Sequence, residues 1–358
     1  MKRPTIADIA ARAGVTKAAV SFALNGQPGV SAATRERILA IAQEVGFQPN
    51  SAAKALTAGR VGTFGLIIDR PARTLGIEPF FMQLLSGIQA DLTQHHVTLQ
   101  FSTAEDSGDE IALYRQWWAQ RRVDGVFLVD LQRDDRRIGV LEKLRMPTVV
   151  IGSPRGSGSL PAVWQDEREV VDAIVGHLAL LGHKRIARVG GVSRYWHTTL
   201  RAEAFAEIAT AAGLEPVQVE ADYTAEPSAE MTRGLLSGSR PPTAIVYDND
   251  VMAVAGLSAA HRMGIGVPSE VSIVSWDDSV LCEITHPALT ALRRDIAGIG
   301  GQAARMLREM VDGKRPDHVK EPTPVLLPRG STGPAPGDDV PDPVLSQVPA
   351  LGVPELRF

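Results

Sequence analysis

The chain has 358 residues, 44% of them hydrophobic, and a formal net charge of −4. This length exceeds what one hydrophobic core usually serves, so at least two domains are expected. A single cysteine, Cys282, excludes an internal disulfide, and neither a signal peptide nor an apolar run long enough to span a bilayer is evident, so we expect a cytoplasmic protein.

The N-terminal segment predicts two short helices joined by a tight turn. The first begins after Thr5, which with Asp8 comes close to a capping box, and Gly14 ends it. Thr16 can cap the second helix, from Lys17 to Leu24, in which Val20 and Leu24 are expected to face inward. Two short helices joined by a glycine turn are typical of the helix-turn-helix, whose second helix enters the major groove of DNA.

A third helix, Ala32 to Val45 with Ser31 as its cap, completes a small predicted core. Residues 1–60 contain eight basic and three acidic side chains, a net charge of +5, and the remaining chain carries −9. A basic module on an acidic body suits docking to phosphates. On charge alone, an ordinary solvated helical surface remains an alternative.

Residues 50–60 predict a short helix that begins at Asn50 and stops at Gly59. Such a segment is too short to be helical alone in water. From these residues alone it is either a linker with Leu56 packed on the body or a helix that orders against a partner.

From Val61 onward, apolar bursts alternate with amphipathic helices. Buried parallel strands are predicted at 62–68, 97–101, 125–129, 148–151, 185–189, 244–247 and 271–276. Helices are predicted near 167–181, 199–212, 226–237, 250–263 and 295–312. Two βαβ-type lobes with a ligand cleft at the strand ends follow from this alternation. Residues 331–358 are rich in Pro, Gly and Asp, which predicts a disordered tail.

The chain resembles the lactose-repressor (LacI/GalR) family of bacterial transcription factors in a run of motifs: Thr5-Ile-Ala-Asp-Ile-Ala, Ala13-Gly-Val-Thr, Val20-Ser, Leu24-Asn, Val30-Ser, Thr34-Arg-Glu-Arg-Ile and Gly46-Phe-Gln-Pro-Asn. The match continues through Ala53, Leu56 and Arg60 to about Gly330. It implies an all-α helix-turn-helix headpiece (1–48), a hinge helix or linker (49–60) and an α/β two-lobed periplasmic-binding-protein-like core (61–330), followed by the tail (331–358).

The resemblance also implies a homodimer that binds near-palindromic operator DNA, most often as a repressor. The positions that match DNA contacts are Thr5, Thr16, Lys17, Ala18, Ser21, Phe22, Asn25, Ser31, Asn50, Ala53 and Leu56. Leu56 matches the leucine that wedges into the central base step. Phe22 stands where many members have Arg, so the base preference does not carry over. The tail lacks heptads, which favours a dimer over a tetramer.

Polar residues at the ends of the predicted strands are candidates for contacts with a small-molecule effector. In the resembling family the matching Arg and Asp grip the effector, so Arg201 and Asp277 come first. The further candidates are Asn249, Tyr223, Asp166, His197, Phe80, Phe81 and Trp276. Such groups make the bidentate hydrogen bonds that sugar hydroxyls favour, so a carbohydrate is predicted, with a purine-like effector as the alternative. Asp250 is interpreted as a helix N-cap and Asp278 as a turn residue.

Other classes of function are weighed against this one. A glycosidase could use Asp277 and Asp278 as acid and base, but adjacent carboxylates rarely oppose each other across a scissile bond. A sugar-binding receptor would suit the same body, although the headpiece and the missing signal peptide argue against it. No cofactor is expected. No metal site is expected either, because the eight histidines show no paired ligand spacing beyond His95-His96, whose adjacent side chains diverge on a helix.

Overall fold

The computed structural model describes residues 4–47, 59–70 and 75–337. The chain divides into two compact units, Met1–Gly62 and Thr63–Phe358. The predicted contact residues Asn50, Ala53 and Leu56 lie outside the described residues. Within the described ranges, no helix is long and apolar enough to cross a membrane.

The first unit contains three helices, α1 (Ile6–Ala13), α2 (Lys17–Leu24) and α3 (Ala32–Glu44). Each begins after a hydroxyl side chain that accepts a hydrogen bond from the backbone N–H three residues further on; these caps are Thr5, Thr16 and Ser31. Gly14 ends α1 at a φ of 62°, a conformation that glycine adopts without steric cost. The predicted starts of all three helices are confirmed.

One large side chain from each helix fills the centre of this unit. Ile9, Val20 and Ile38 are fully buried, and small alanines, among them Ala23, pack between them. Leu24, predicted to face inward, is only partly buried because Ala23 takes the inward position.

The second unit contains two lobes. The strands of the first lobe are β1 (Thr63–Ile68), β2 (Thr98–Thr103), β3 (Gly125–Leu128), β4 (Thr148–Ile151), β5 (Ala162–Trp164) and β11 (Val319–Lys320). They form a parallel sheet in the order β11-β5-β4-β3-β1-β2. Its helices are α4 (Pro79–Gln94), α5 (Ser107–Ala119), α6 (Arg136–Leu144) and α12 (Ile296–Val311).

The second lobe repeats this plan with the strands β6 (Arg185–Gly190), β7 (Glu215–Glu220), β8 (Ala244–Tyr247), β9 (Ser272–Ser275), β10 (Thr290–Arg293) and β12 (Val325–Leu327). Their order is β12-β10-β9-β8-β6-β7, in which only β12 runs antiparallel to its neighbour. Its helices are α7 (Glu167–Leu180), α8 (Trp196–Ala211), α9 (Ala225–Leu236), α10 (Asp250–Arg262) and α11 (Val280–Ile284).

Three short segments of the described chain connect the lobes: residues 165–166, 294–295 and 321–324. The first lobe is therefore completed by α12 and β11, which come late in the sequence. Short connections of this kind are where two packed bodies can hinge.

The segment 331–337 is ordered, so the predicted tail boundary after Gly330 is wrong for this stretch. Ser331 is fully buried; its Oγ donates to the carbonyl of Ile273 at 2.6 Å, and its own carbonyl accepts from the Ile273 N–H at 2.8 Å. The Ala335 N–H donates to the carbonyl of Leu181. The segment is irregular chain that is held by hydrogen bonds to the backbone, so its order does not depend on apolar periodicity. Residues 338–358 lie outside the described part.

Candidate DNA interface and effector cleft

Helix α2 presents an accessible stripe on the side opposite its buried Val20 and Ala23. Spacings of three and four residues place the predicted contacts on one helical face: Lys17, Ala18, Ser21, Phe22 and Asn25. The stripe is exposed except for Ser21, which is half-buried. A free face of this kind on the second helix of a helix-turn-helix can reach base edges.

The three caps of the first unit are also exposed. Thr5, Thr16 and Ser31 each lie at the amino end of a helix, where backbone N–H groups and the helix dipole favour anions. The arrangement suits contacts to phosphates, whereas the face of α2 suits contacts to bases.

A cavity of about 90 Å³ lies between the two lobes at the carboxyl ends of the strands. Six predicted effector residues line it: Phe80, Phe81, His197, Arg201, Tyr223 and Asp277. Asn249 and Trp276 are buried residues that do not line it but contact residues that do. Asp166 lines a separate depression and caps α7. The structure therefore brings most of the candidates together, and Asp166 stands apart.

Arg201 is fixed by three groups of the second lobe. Its Nε donates to Glu167 at 2.9 Å, and its Nη1 donates to the carbonyl of Asp248 at 3.2 Å. The guanidinium lies over the Trp276 ring, 4.1 Å from the centroid. A planar guanidinium held in this way keeps a fixed orientation toward the cleft.

Arg70, from the first lobe, reaches across the cleft. It donates two hydrogen bonds to Asp130, at 2.8 and 3.0 Å, and only 6% of the residue is exposed. Its guanidinium carbon lies 4.5 Å from the Tyr223 ring and 4.9 Å from the Tyr195 ring, both in the second lobe. Burial alone would raise the pKa of Asp130, but the charge and hydrogen bonds of Arg70 hold it below its usual value.

Burial makes His197 a neutral residue of this site. It lowers the pKa of the imidazole to about 3, and the positive charge of Arg201 acts in the same direction. Nε2 of His197 lies 2.7 Å from the Tyr223 hydroxyl, and the ring stacks on Tyr195. A neutral imidazole beside tyrosines is suited to hydrogen bonding with uncharged hydroxyls.

The cleft is connected to the segments that link the lobes. Arg294, in one of these segments, donates to Asp277 at 2.9 Å and to the side-chain oxygen of Gln165, in another, at 2.8 Å. A change in the position of Asp277 would therefore reach two of the three connections.

The lobes also touch through their backbones. The Arg133 N–H donates to the carbonyl of Arg194 at 2.9 Å, and the Trp196 N–H donates to the carbonyl of Leu131 at 2.8 Å. These bonds hold the lobes together around a cavity smaller than the roughly 300–1,000 Å³ of typical ligand sites. A ligand the size of a sugar ring therefore requires the lobes or the side chains to move.

Sequence reasoning found Phe80 and Phe81 in the first lobe but missed several polar residues of the cleft. Arg70 is the second residue after the strand predicted at 62–68, and Asp130 and Asp248 directly follow the strands predicted at 125–129 and 244–247. The rule that polar residues at strand ends face the cleft, applied to every strand, would have found all three. Other lining residues that were missed are Glu78, Trp164, Gln165, Glu167 and Arg294.

The interpretation of Asp250 as a helix cap is wrong. Asn249 caps α10, because its side-chain oxygen accepts from the Met252 N–H at 2.8 Å. Asp250 is the first helical residue, and burial raises the pKa of its carboxyl to about 6. Asn and Asp are both favourable N-cap residues. Which of the two caps α10 therefore depends on where the preceding strand ends.

Two family models match the chain. Residues 5–50 match the bacterial regulatory proteins of the lacI family, and residues 175–332 match a periplasmic binding protein-like domain. The transcriptional regulator MalR of Streptomyces coelicolor is 31% identical over 346 residues, which cover 93% of this chain and 98% of that protein.

Solved structures are similar over the same length. The complex of the transcriptional regulator CelR with cellobiose is 28% identical, with a TM-score of 0.71, and the match covers 92% of this chain and 100% of that one. The lac repressor dimer bound to operator and the anti-inducer ONPF is 24% identical, with a TM-score of 0.81, and covers 93% of this chain and 100% of that one. The fold predicted from the sequence is confirmed.

Proposed function

The chain belongs to the lacI family of bacterial regulatory proteins, and on that premise we propose that it binds its operator as a homodimer whose DNA affinity is set by a neutral sugar held between the lobes. It is a DNA-binding transcriptional regulator. We also propose that it represses transcription, acts in the cytoplasm and has no enzymatic activity. The observation that best supports operator binding is the accessible face of α2 on a capped helix-turn-helix.

The charge pairing in the cleft supports binding rather than catalysis. Four carboxylates in or beside the cavity each bond an arginine, in the pairs Asp130–Arg70, Glu167–Arg201, Asp277–Arg294 and Asp248–Arg188. Asp278, the other half of the glycosidase hypothesis, pairs with Arg329 instead. Carboxylates bonded to arginines keep a fixed orientation, which suits hydrogen bonding to hydroxyls better than proton transfer.

A neutral effector fits this charge distribution. An anionic ligand would face paired carboxylates, whereas sugar hydroxyls can donate to them and accept from the guanidinium groups. The CelR complex holds cellobiose, which adds support for a sugar. A sugar that closes or opens the cleft would move the lobes about the three connections and so change operator affinity. Asn50, Ala53 and Leu56 are proposed to contact the DNA.

A panel of sugars, glycosides and purines tests this function directly. A true effector should raise the melting temperature of the full chain, because a ligand at 100 times its Kd adds roughly 2.7 kcal/mol, and should change its affinity for operator DNA in gel shifts. Stabilisation by a purine and by no sugar would contradict the proposed effector class.

Operator binding should depend steeply on salt. If the basic headpiece and its dimer mate neutralise phosphates, log affinity should fall linearly with log salt, with a slope of about −5 or steeper between roughly 50 and 200 mM. Fluorescence anisotropy on an operator duplex measures this slope. A flat response would rule out phosphate contacts as a main source of affinity.

Lys17→Ala should relax base selectivity. Lys17 is the first residue of α2 and is exposed, so its side chain can reach a base edge; its loss should weaken the operator complex by about 1–3 kcal/mol at one half-site position. Binding to an operator library measures the change. The control is Lys143→Ala, an exposed lysine on α6. A uniform loss over all sequences would show that Lys17 contacts phosphate.

A further inference from the structure

Glu78 carries a buried carboxylate whose hydrogen-bonding capacity is only partly satisfied by the protein. It precedes Pro79 at the cap position of α4, but its side chain makes no capping hydrogen bond. Only 6% of the residue is exposed. Its carboxylate is therefore enclosed by protein without the role that an acidic residue usually has at a helix start.

The neighbours of Glu78 satisfy only one of its oxygens. Asn249 Nδ2 lies 3.4 Å from Oε1, a long hydrogen bond, and among the described residues Oε2 has no hydrogen-bond partner. Arg70 is near, with Nη1 3.7 Å from Oε2, but its hydrogen bonds go to Asp130. Burial raises the pKa of Glu78 to about 7. A buried acceptor of this kind gains free energy from any donor that a ligand supplies.

Glu78 and Tyr223 line two cavities. On one side is the interlobe cleft of about 90 Å³, and on the other an outer cavity of about 460 Å³. The described lining of the outer cavity combines apolar side chains, Ile77, Pro227 and Val251, with the carboxylates of Asp222 and Glu226. Apolar contacts suit the C–H faces of a sugar, and the carboxylates accept hydroxyl hydrogen bonds and repel anions.

We propose that the effector is a neutral oligosaccharide of at least two units, with one ring in the interlobe cleft, the next in the outer cavity, and a hydroxyl that donates to Oε2 of Glu78 between them. The inference rests on the proposed function, because it needs a sugar in the cleft. It adds a second subsite and a recognition residue. The volumes favour it, since of the two cavities that Glu78 lines the outer one has a volume in the usual range of about 300–1,000 Å³ for a ligand site.

Two variants of the full chain separate the parts of this proposal. Glu78→Gln keeps the shape and removes the charge. Ala225→Trp fills the outer cavity from an exposed position at the start of α9. The matched control is Ala211→Trp, at the exposed end of α8, which lines neither cavity. Melting temperatures without sugar and operator binding report whether each variant folds.

Calorimetric titration with glucose, cellobiose and maltose gives the readout. The wild type should bind at least one disaccharide about tenfold or more tightly than glucose. Ala225→Trp should lower disaccharide affinity to the level of glucose, Glu78→Gln should lower it about tenfold, and Ala211→Trp should change nothing.

The outcomes distinguish this inference from the function on which it rests. Equal affinity of the wild type for glucose and the disaccharides, or unchanged disaccharide binding by Ala225→Trp, overturns the second subsite and leaves a sugar effector standing. Unchanged disaccharide binding by Glu78→Gln overturns the role of its carboxylate. If none of the three sugars binds the wild type, the proposed sugar effector fails and this inference fails with it.

Discussion

Arg201→Ala should abolish the response to effector while leaving operator binding nearly intact. Arg201 is buried in the cleft, where its guanidinium bonds Glu167 and stacks on Trp276. Its loss should leave ligand hydroxyls without a charged donor, which costs about 2–3 kcal/mol, or roughly 30- to 150-fold in Kd. Effector titrations and gel shifts measure the two properties separately.

The control for this variant is another arginine of the same lobe. Arg168 pairs with Glu207 on the protein surface, where water screens the ion pair and leaves it little effect on stability. Arg168→Ala should therefore respond like the wild type. Arg201→Lys shows whether positive charge alone is enough. Unchanged effector affinity in Arg201→Ala would remove this residue from the proposed site.

Arg137→Met should destabilise the second unit by about 3–5 kcal/mol, because it leaves two carboxylates without their buried counter-charge. Arg137 is 1% exposed and donates to Glu110 at 2.7 Å and to Asp135 at 2.6 Å. It also donates to the carbonyl of Asp130, so it ties α6 to the end of β3, where Asp130 meets Arg70. Effector affinity should therefore fall as well.

The neighbouring arginine gives a matched control. Arg136 is exposed at the start of α6, and Arg136→Met should change stability by less than about 0.5 kcal/mol. Urea denaturation of both variants, followed by circular dichroism, compares the two. Equal midpoints for Arg136→Met and Arg137→Met would show that the buried ion cluster contributes little to stability.

The headpiece could be predicted from the sequence because the interactions that define it are local. Thr5, Thr16 and Ser31 each cap a helix through a bond to the third residue beyond, and Gly14 supplies a turn conformation on its own. The exposed stripe of α2 follows from helical spacing. In the second lobe, Arg201, Tyr223 and Asp277 were found by their places in the sequence and the family resemblance, and all three line the cleft.

The pairing of charges in the cleft was decided only by the tertiary structure. Arg70 and Asp130 are 60 residues apart, as are Arg188 and Asp248, and no local pattern says which carboxylate an arginine will reach. Glu78 illustrates the same limit, since its sequence position suggests a cap, whereas the fold turns its carboxylate inward toward Asn249.

The amino-acid sequence by itself determined the capped headpiece and the repeated alternation of strands and helices, because hydrophobic periodicity, caps and glycine turns act within a few residues. It also determined the basic charge of residues 1–60 and the acidic charge of the remaining chain. Tertiary structure decided that α12 and β11 return to the first lobe, that residues 331–337 pack beside Ile273, and that arginines close the cleft. These features depend on contacts between distant segments. Such contacts form, and stabilise the protein, only once both lobes are folded.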